Sequence, residues 1–223
     1  MEYEFKINNF KKNQFCITFQ ESKRSIINAI IAAQGMDCSV ADSYKKLIIL
    51  GRKVINLESL LKEQTKIDID QVKIIIRDIS LQLKYMILSQ NQCPIGFHTR
   101  HIFLIDDKKA IFIPPNSNLV YKANHNDVLQ ITTLIDKSEM ELFPEMMNIT
   151  EIPFELHYKC NYYSFGSMIL KCIKEEDILV EGETQYIQNS NLLNNLPIKG
   201  SKLYYFLERL LENNPENRYF LYI

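Results

Sequence analysis

The chain has 223 residues, of which 46% are hydrophobic, and its 26 Lys and Arg residues balance 27 Asp and Glu residues to a formal net charge of −1. This composition suits one large globular domain or two small lobes, and the absence of a Lys/Arg-rich block argues against a nucleic-acid partner. No apolar run approaches the roughly 18 residues that span a bilayer, the charged N-terminus lacks a signal-peptide core, and five cysteines without a Cys-x-x-Cys pair predict reduced thiols in the cytoplasm.

The N-terminal part of the sequence predicts strands around one helix. Polar and apolar residues alternate over the first 20 residues, which predicts two strands with turns at Asn8–Asn9 and Lys11–Asn13. Ser22 is expected to cap a helix that ends at Gly35, because glycine readily adopts the left-handed conformation that closes a helix. The apolar run from Tyr44 to Leu50 predicts a buried strand.

Two helices and a hairpin are predicted next. A short helix is expected from Leu57 to Lys62, and a longer one begins at Asp68 or Asp70, with apolar residues at helical spacing as far as Ile87. Residues 102–105 and 110–113 then read as a β-hairpin, since two short apolar runs flank a charged turn. Residues 116–140 are expected to form a mostly polar loop, apart from an apolar run at 128–134.

Three segments near the C-terminal end point to a known family. They are Phe143-Pro144-Glu145, then Asn161-Tyr-Tyr-Ser164-Phe-Gly166 ahead of an apolar helix, and finally Leu210-Leu211-Glu-Asn-Asn-Pro215-Glu-Asn-Arg218. In this order they resemble the Ala-Pro-Glu, Asp-x-Trp-Ser-x-Gly and Leu-Leu-x-x-Asn/Asp-Pro-x-x-Arg motifs of protein kinases. The resemblance implies an α+β, protein kinase-like bilobal fold, with a reduced β-rich N-lobe over residues 1–52 and a mainly helical C-lobe over residues 53–223.

The resemblance also implies a structural ion pair. In protein kinases the Glu of the first motif and the Arg of the last form a buried pair, so Glu145 and Arg218 are expected to touch. Arginine suits this role because its planar guanidinium can bind a carboxylate through two parallel hydrogen bonds. The alternative is that they are two unrelated surface charges. The remaining fold-motif positions are Asn161, Ser164, Gly166 and Pro215.

The positions that carry phosphoryl transfer in the family hold other residue types here. No glycine precedes Gly35, so there is no Gly-rich loop, and the helix predicted before it has no acidic residue to pair with a strand lysine. By the resemblance, the catalytic Lys, the catalytic Asp, the metal-binding Asn and the metal-binding Asp correspond to Phe19, Gly96, His101 and Pro114. Proton transfer and oxygen ligation of Mg²⁺ therefore lack their usual groups.

Other chemistry-bearing residues have plainer interpretations. The side chains that could be drawn as a zinc site are Cys93, His98, His101 and His125. They flank a hairpin and a loop rather than a compact knuckle, so scattered histidines are the favoured interpretation. Cys160 with His157 could be drawn as a nucleophile pair, but a core thiol ahead of a buried helix is favoured. Asp106-Asp107 is interpreted as a hairpin tip rather than a carboxylate pair.

Together these patterns predict a catalytically inactive kinase-like protein that acts as a scaffold or structural component of a larger protein assembly. Its partners would be other proteins, with no cofactor, nucleic acid or membrane. They would dock on the C-lobe helices, on residues before Glu145, or on the apolar end Tyr219–Ile223. One alternative is an allosteric module that binds a nucleotide or small ligand without phosphotransfer. Another is an active transferase with relocated carboxylates such as Asp106 or Asp127.

Overall fold

A computed structural model describes residues 5–35, 38–64, 66–115, 119–124, 127–149, 151–173 and 191–220. Within these ranges the chain combines α-helices with small antiparallel sheets. It is therefore a mixed α+β protein, as the sequence predicts at this coarser level.

The first sheet has four antiparallel strands in the order β1-β2-β4-β3. The strands are β1 (Phe5–Lys11), β2 (Gln14–Phe19), β3 (Cys38–Ala41) and β4 (Lys46–Leu50). Helix α1 (Arg24–Gln34) connects β2 to β3. Alternate strand residues such as Ile17 and Leu47 share one face of the sheet, and they are buried together with Ile27 and Ile30 of α1.

The predicted turn at Asn8–Asn9 is wrong. Both residues lie in β1, where Asn8 pairs with Cys16 and Asn9 pairs with Phe15. The hairpin turns later, at Asn13, whose φ of 61° is the left-handed conformation that asparagine tolerates better than most residues. Local composition did not distinguish the two asparagine-containing stretches, and the pairing with β2 decides between them.

The predicted cap of α1 is also wrong, whereas its end is confirmed. The Ser22 hydroxyl donates a hydrogen bond to the carbonyl oxygen of Ser43 at 2.8 Å, and the helix begins at Arg24 without a side-chain cap. Gly35 ends the helix with a φ of 51°. Tyr44 lies in a turn with a φ of 67°, so β4 starts later than predicted, and β3 was not predicted at all.

The two following helices form as predicted. Strand β5 (Val54–Asn56) leads into α2 (Leu57–Glu63), and the long helix α3 (Ile69–Gln90) comes next. Asp68 caps α3 by accepting a hydrogen bond from the backbone N–H of Asp70 at 2.9 Å. This contact satisfies one of the free N–H groups at the start of the helix.

The central hairpin is confirmed and gains a third strand. After the short strand β6 (Cys93–Pro94), β7 (Ile102–Ile105) pairs with β8 (Lys109–Phe112), and β5 pairs with the other edge of β7. Asp106 and Asp107 form the turn, both with a φ of 53°.

The predicted loop from 116 to 140 contains two short strands. These are β9 (Val120–Tyr121), which pairs with β6, and β10 (Val128–Ile131), which pairs with β11 (Phe154–His157). Helix α4 (Cys160–Ile173) follows β11, residues 191–195 are helical, and α5 (Lys202–Leu210) comes last.

Buried apolar side chains form a smaller and a larger cluster among the described residues. The smaller lies between the first sheet and α1, and it also includes Ile105, Ile111 and Ile113 from the hairpin. The larger surrounds α4, nearly all of whose residues are buried, which is typical of a helix that is apolar on every side. Phe220 packs back on this cluster, with its ring centroid 4.4 Å from that of Tyr162, and residues 221–223 lie outside the described part.

Candidate functional site

Arg218 is fully buried and forms five hydrogen bonds, one for each of its N–H groups. Two go to the Glu145 carboxylate, at 2.6 Å from Nη1 and 3.1 Å from Nη2. The other three go to the backbone carbonyl oxygens of Glu212 at 2.6 Å, Asn213 at 2.8 Å and Lys159 at 3.2 Å. The expected contact between Glu145 and Arg218 is present, and the alternative of two unrelated surface charges is wrong.

This pair joins three parts of the chain. Glu145 belongs to the 3₁₀ turn Pro144–Asn148, Lys159 precedes α4, and Arg218 follows the 3₁₀ turn Pro215–Asn217. The guanidinium also lies 5.1 Å from the ring centroid of Tyr163 on α4, within the range of a cation–π contact. The contacts tie the segment after α5 to α4 and to the turn that carries Glu145.

Residues at the start of α4 hold the chain between β6 and β7. The Asn161 side-chain amide donates to Cys93 Sγ at 2.8 Å, and the Ser164 hydroxyl accepts a 2.8 Å hydrogen bond from the backbone N–H of Phe97. One helical turn later, Gly166 allows α5 to approach, because a Cβ there would lie 2.9 Å from Leu210 Cβ. Asn161 and Ser164 therefore fix β6 and the segment after it against α4, and Gly166 lets α5 pack closely on α4.

Gly96, which the resemblance aligns with the catalytic Asp of protein kinases, faces a side chain that leaves no room for a Cβ. A Cβ on Gly96 would lie 2.6 Å from Met140 Cβ and 2.8 Å from Met140 Sδ, distances that real Cβ atoms do not adopt. Met140 is buried, and the next residue, Glu141, donates its backbone N–H to the carbonyl oxygen of Phe97 at 2.7 Å. An aspartate at position 96 does not fit unless Met140 moves.

His101, which the resemblance aligns with the metal-binding Asn of protein kinases, contacts a neighbouring carboxylate. Its Nε2 lies 2.9 Å from Oε2 of buried Glu139, whose other oxygen is 3.6 Å from the guanidinium of Arg100. Burial, together with the nearby His98 and Arg100, lowers the pKa of His101 to about 3. The imidazole is then neutral at pH 7, and Nε2–H donates to Glu139.

The other two positions that the resemblance aligns with kinase catalytic residues carry apolar side chains in buried surroundings. Phe19, at the lysine position, belongs to the smaller cluster and is 3% exposed. Pro114, at the position of the metal-binding Asp, is buried just beyond β8.

Asp106 has a contact that sequence reasoning missed. Its Oδ1 accepts hydrogen bonds from the backbone N–H groups of Arg52 and Lys53, both at 2.8 Å, and the N–H of Gly51 donates to the carbonyl oxygen of Asn13 at 3.0 Å. Three successive N–H groups between β4 and β5 are thus bonded within the chain. No sequence signal at a separation of more than 50 residues could have found the Asp106 contact.

The residues considered from the sequence for a zinc site and for a nucleophile pair do not form such sites in the described part of the chain. In the part of the chain that the structure describes, no group of three or more His, Cys, Asp or Glu side chains could hold a metal ion, and His125 lies outside that part. Cys160 is fully buried, burial raises the pKa of its thiol, and its Sγ lies 3.7 Å from the carbonyl oxygen of Ile95. His157 accepts a hydrogen bond from the backbone N–H of Lys159 at 3.1 Å.

A surface groove lies beside the ion pair. It has a volume of about 440 Å³. It is lined by Glu145, Pro215 and β11, with Ile149, Glu151 and Pro153 completing its walls. A second groove of about 420 Å³ adjoins it and shares Ile149, Glu151 and Phe154 with it. The second groove also contains Leu134, which is 89% exposed. We call these two grooves together the β11 groove.

No protein-family model matches this sequence, and no curated protein matches it. The resemblance to protein kinases therefore rests on the residues and contacts described above. Within the described ranges, no helix is both long enough and apolar enough to cross a bilayer.

Proposed function

We propose that the chain is a catalytically inactive, protein kinase-like protein that serves as a cytoplasmic scaffold or structural component of a larger protein assembly. The observation that carries the proposal is the filled space at Gly96, where Met140 occupies the volume that a catalytic carboxylate would need. The residues between Glu139 and Phe143 are mostly buried and hydrogen-bonded to neighbouring segments, so this filling belongs to the packed interior.

The bilobal arrangement is part of the same proposal. Its support is the order of elements: an antiparallel sheet with one helix, a connecting segment, the long helix α3, the β7–β8 hairpin, and buried α4. The Glu145–Arg218 pair adds support, since it joins two segments 73 residues apart that the resemblance pairs. Packing residues of the resemblance are thus in contact, whereas its four catalytic positions hold no carboxylate or amine.

The alternative of a nucleotide-binding module has less support. A nucleotide base held by the segment between β4 and β5 would need free backbone N–H groups there. Those of Gly51, Arg52 and Lys53 already donate to Asn13 and Asp106. Binding would have to break these hydrogen bonds or use other groups.

The test is a phosphotransfer assay with radiolabelled ATP, Mg²⁺ or Mn²⁺ and generic protein substrates, with an active protein kinase assayed in parallel. We expect no incorporation above the blank. Incorporation that is lost in Asp106→Asn or Asp127→Asn would overturn the proposal and favour an active transferase with relocated carboxylates.

A thermal-shift measurement separates the scaffold from the nucleotide-binding alternative. A ligand at 100 times its dissociation constant adds about 2.7 kcal/mol to the free energy of unfolding. We expect no shift with ATP, with or without Mg²⁺. A shift that saturates with ATP concentration would instead support the nucleotide-binding module.

A further inference from the structure

Strand β11 has an open backbone edge. The backbone N–H of Tyr158 donates to the carbonyl oxygen of Asp127, which makes these two residues a hydrogen-bonded pair. Hydrogen-bonded and non-hydrogen-bonded pairs alternate along an antiparallel ladder, so every second residue pair from there across β10 and β11 is hydrogen-bonded. By this alternation, the backbone groups of Leu156 and Phe154 face β10, whereas those of Glu155 and His157 point away from it. Outside the β10–β11 pairing, no backbone–backbone hydrogen bond among the described residues uses the N–H or C=O groups of these two residues.

The open edge faces the β11 groove. All four residues of β11 line it, together with Pro153, which precedes the strand, and Pro215. A proline has no backbone N–H, so neither Pro153 nor Pro215 can donate a backbone hydrogen bond to the edge of β11. A groove beside unpaired strand groups is the geometry in which an extended peptide adds as a further strand.

The charge of the groove selects the kind of peptide. Glu151 and Glu155 are exposed and make no hydrogen bond or ion pair with any residue the structure describes, whereas Glu145 is neutralised by Arg218. Burial lowers the pKa of His157, so this side chain is neutral at pH 7. The charge left at the edge is therefore negative.

The adjoining part of the groove is apolar. Its walls include Leu134, Ile135 and Ile152 beside Met146, and Leu134 is 89% exposed. Lys137 also lines this part, away from β11. The two parts together present carboxylates along a strand edge and an apolar surface at its end.

We propose that the β11 edge binds an extended segment of a partner protein as an added strand, with basic side chains facing Glu151 and Glu155 and an apolar side chain in the adjoining part of the groove. The inference rests on the proposed scaffold function and names its docking surface. A nucleic acid would be repelled by the carboxylates. The same edge of a second copy would place Glu155 near its own equivalent, where like charges oppose pairing.

The probe is a fluorescein-labelled nonapeptide that alternates Lys and Val, and binding is followed by fluorescence anisotropy. Two further peptides replace Lys with Glu, or carry N-methyl groups on alternate amides so that one backbone edge cannot pair. We expect only the unmethylated Lys peptide to bind. The double variant E151K/E155K should weaken it about tenfold, because two exposed charge pairs become repulsive.

Glu21→Lys is the matched control, since Glu21 is exposed and lies on the connection before α1. We expect wild-type affinity for this variant. Glu155→Gln keeps the size of the side chain but removes its charge, so it should weaken binding less than Glu155→Lys. This graded loss distinguishes an effect of charge from partial unfolding of a variant. Slowed amide hydrogen exchange at Glu155 and His157 on binding would place the peptide at this edge.

Equal affinity for the N-methylated peptide, or equal weakening by Glu21→Lys, would overturn the inference. So would concentration-dependent self-association that Glu155→Lys abolishes, because the occupant would then be a second copy of the chain. None of these outcomes bears on catalysis, so failure here leaves the phosphotransfer test of the proposed function intact.

Discussion

At the level of single residues, the burial of Arg218 sets a strict requirement on its partner. A guanidinium stays protonated in proteins, so its charge cannot be removed by a shift in pKa. With Arg218 inaccessible to water, Glu145 supplies the compensating charge and three carbonyl groups supply the remaining acceptors.

Removing one partner of this pair should therefore be severe. We expect Glu145→Ala to lower the free energy of unfolding by about 3–5 kcal/mol, because an uncompensated charge stays buried. Glu212→Ala is the control, since its carboxylate lies 3.9 Å from Arg209 on the surface and its loss should change stability by at most about 1 kcal/mol. Urea denaturation of both variants measures the difference. Small losses of similar size in both would contradict the prediction that the Glu145–Arg218 pair stabilises the fold.

The contact between Gly96 and Met140 makes a second prediction at this scale. Gly96→Ala should lower the free energy of unfolding by about 1–3 kcal/mol, because its methyl group overlaps Met140. In the double variant with Met140→Gly, which also removes the Met140 Cβ, the added methyl group finds space. The double variant should then lose less free energy of unfolding than the sum of the losses in the two single variants, which a double-mutant cycle measures. Additive losses would show that Met140 does not limit the space at position 96.

At the level of elements, α4 organises the larger cluster by its small and polar residues as much as by its apolar ones. Ser164 and Asn161 hold the segment between β6 and β7, and Gly166 brings α5 close. Two opposing effects meet at Gly166. Alanine there gains about 1 kcal/mol in helix propensity, but its Cβ would lie 2.9 Å from Leu210 Cβ.

We expect the overlap at Gly166 to prevail, because Leu210 contributes a backbone-adjacent Cβ rather than a flexible end. Gly166→Ala should lower the melting temperature, with a loss of about 1–2 kcal/mol after the propensity gain. The control is Ser89→Ala at the exposed end of α3, which should be neutral within about 0.5 kcal/mol. A stabilised Gly166→Ala would mean that α5 can retreat from α4.

For the whole molecule, stability should depend on pH through one buried and two half-buried histidines. Burial is the main cause that lowers the pKa of His98, His101 and His157 below the usual 6.5, to about 3 for His101. Between those values the unfolded chain binds more protons than the folded one. Stability is therefore complete above pH 6.5 and is lost as the pH falls toward 3.

The pH prediction is tested by urea denaturation between pH 7.5 and 4.5. His101 changes the free energy of unfolding by about 1.4 kcal/mol per pH unit below 6.5, since the unfolded chain binds one more proton there. His101→Gln removes that contribution, so the stability of the variant should fall less steeply with acid than that of the wild type. Parallel curves would contradict the prediction, because they would mean that the pKa of His101 does not change on folding.

The regular elements were the most predictable part of the fold, because their signals are local. The apolar spacing and the Asp68 cap predicted α3, and two apolar runs around a charged turn predicted β7 and β8. Ser22 misled the prediction of α1 because its hydroxyl bonds a residue 21 positions away. Strands β9 to β11 are two to four residues long, too short for a pattern to identify reliably.

The sequence by itself determined which residue types stand at each position, and through the resemblance it paired Glu145 with Arg218. Through the same resemblance it predicts that phosphoryl transfer lacks its usual groups. Only the tertiary structure decided what occupies those places: Met140 against Gly96, Glu139 against His101, and Asp106 across the segment before β5. It also left the edge of β11 open. The reason is physical, because each contact joins residues 38 to 54 positions apart whose approach depends on how the intervening elements pack.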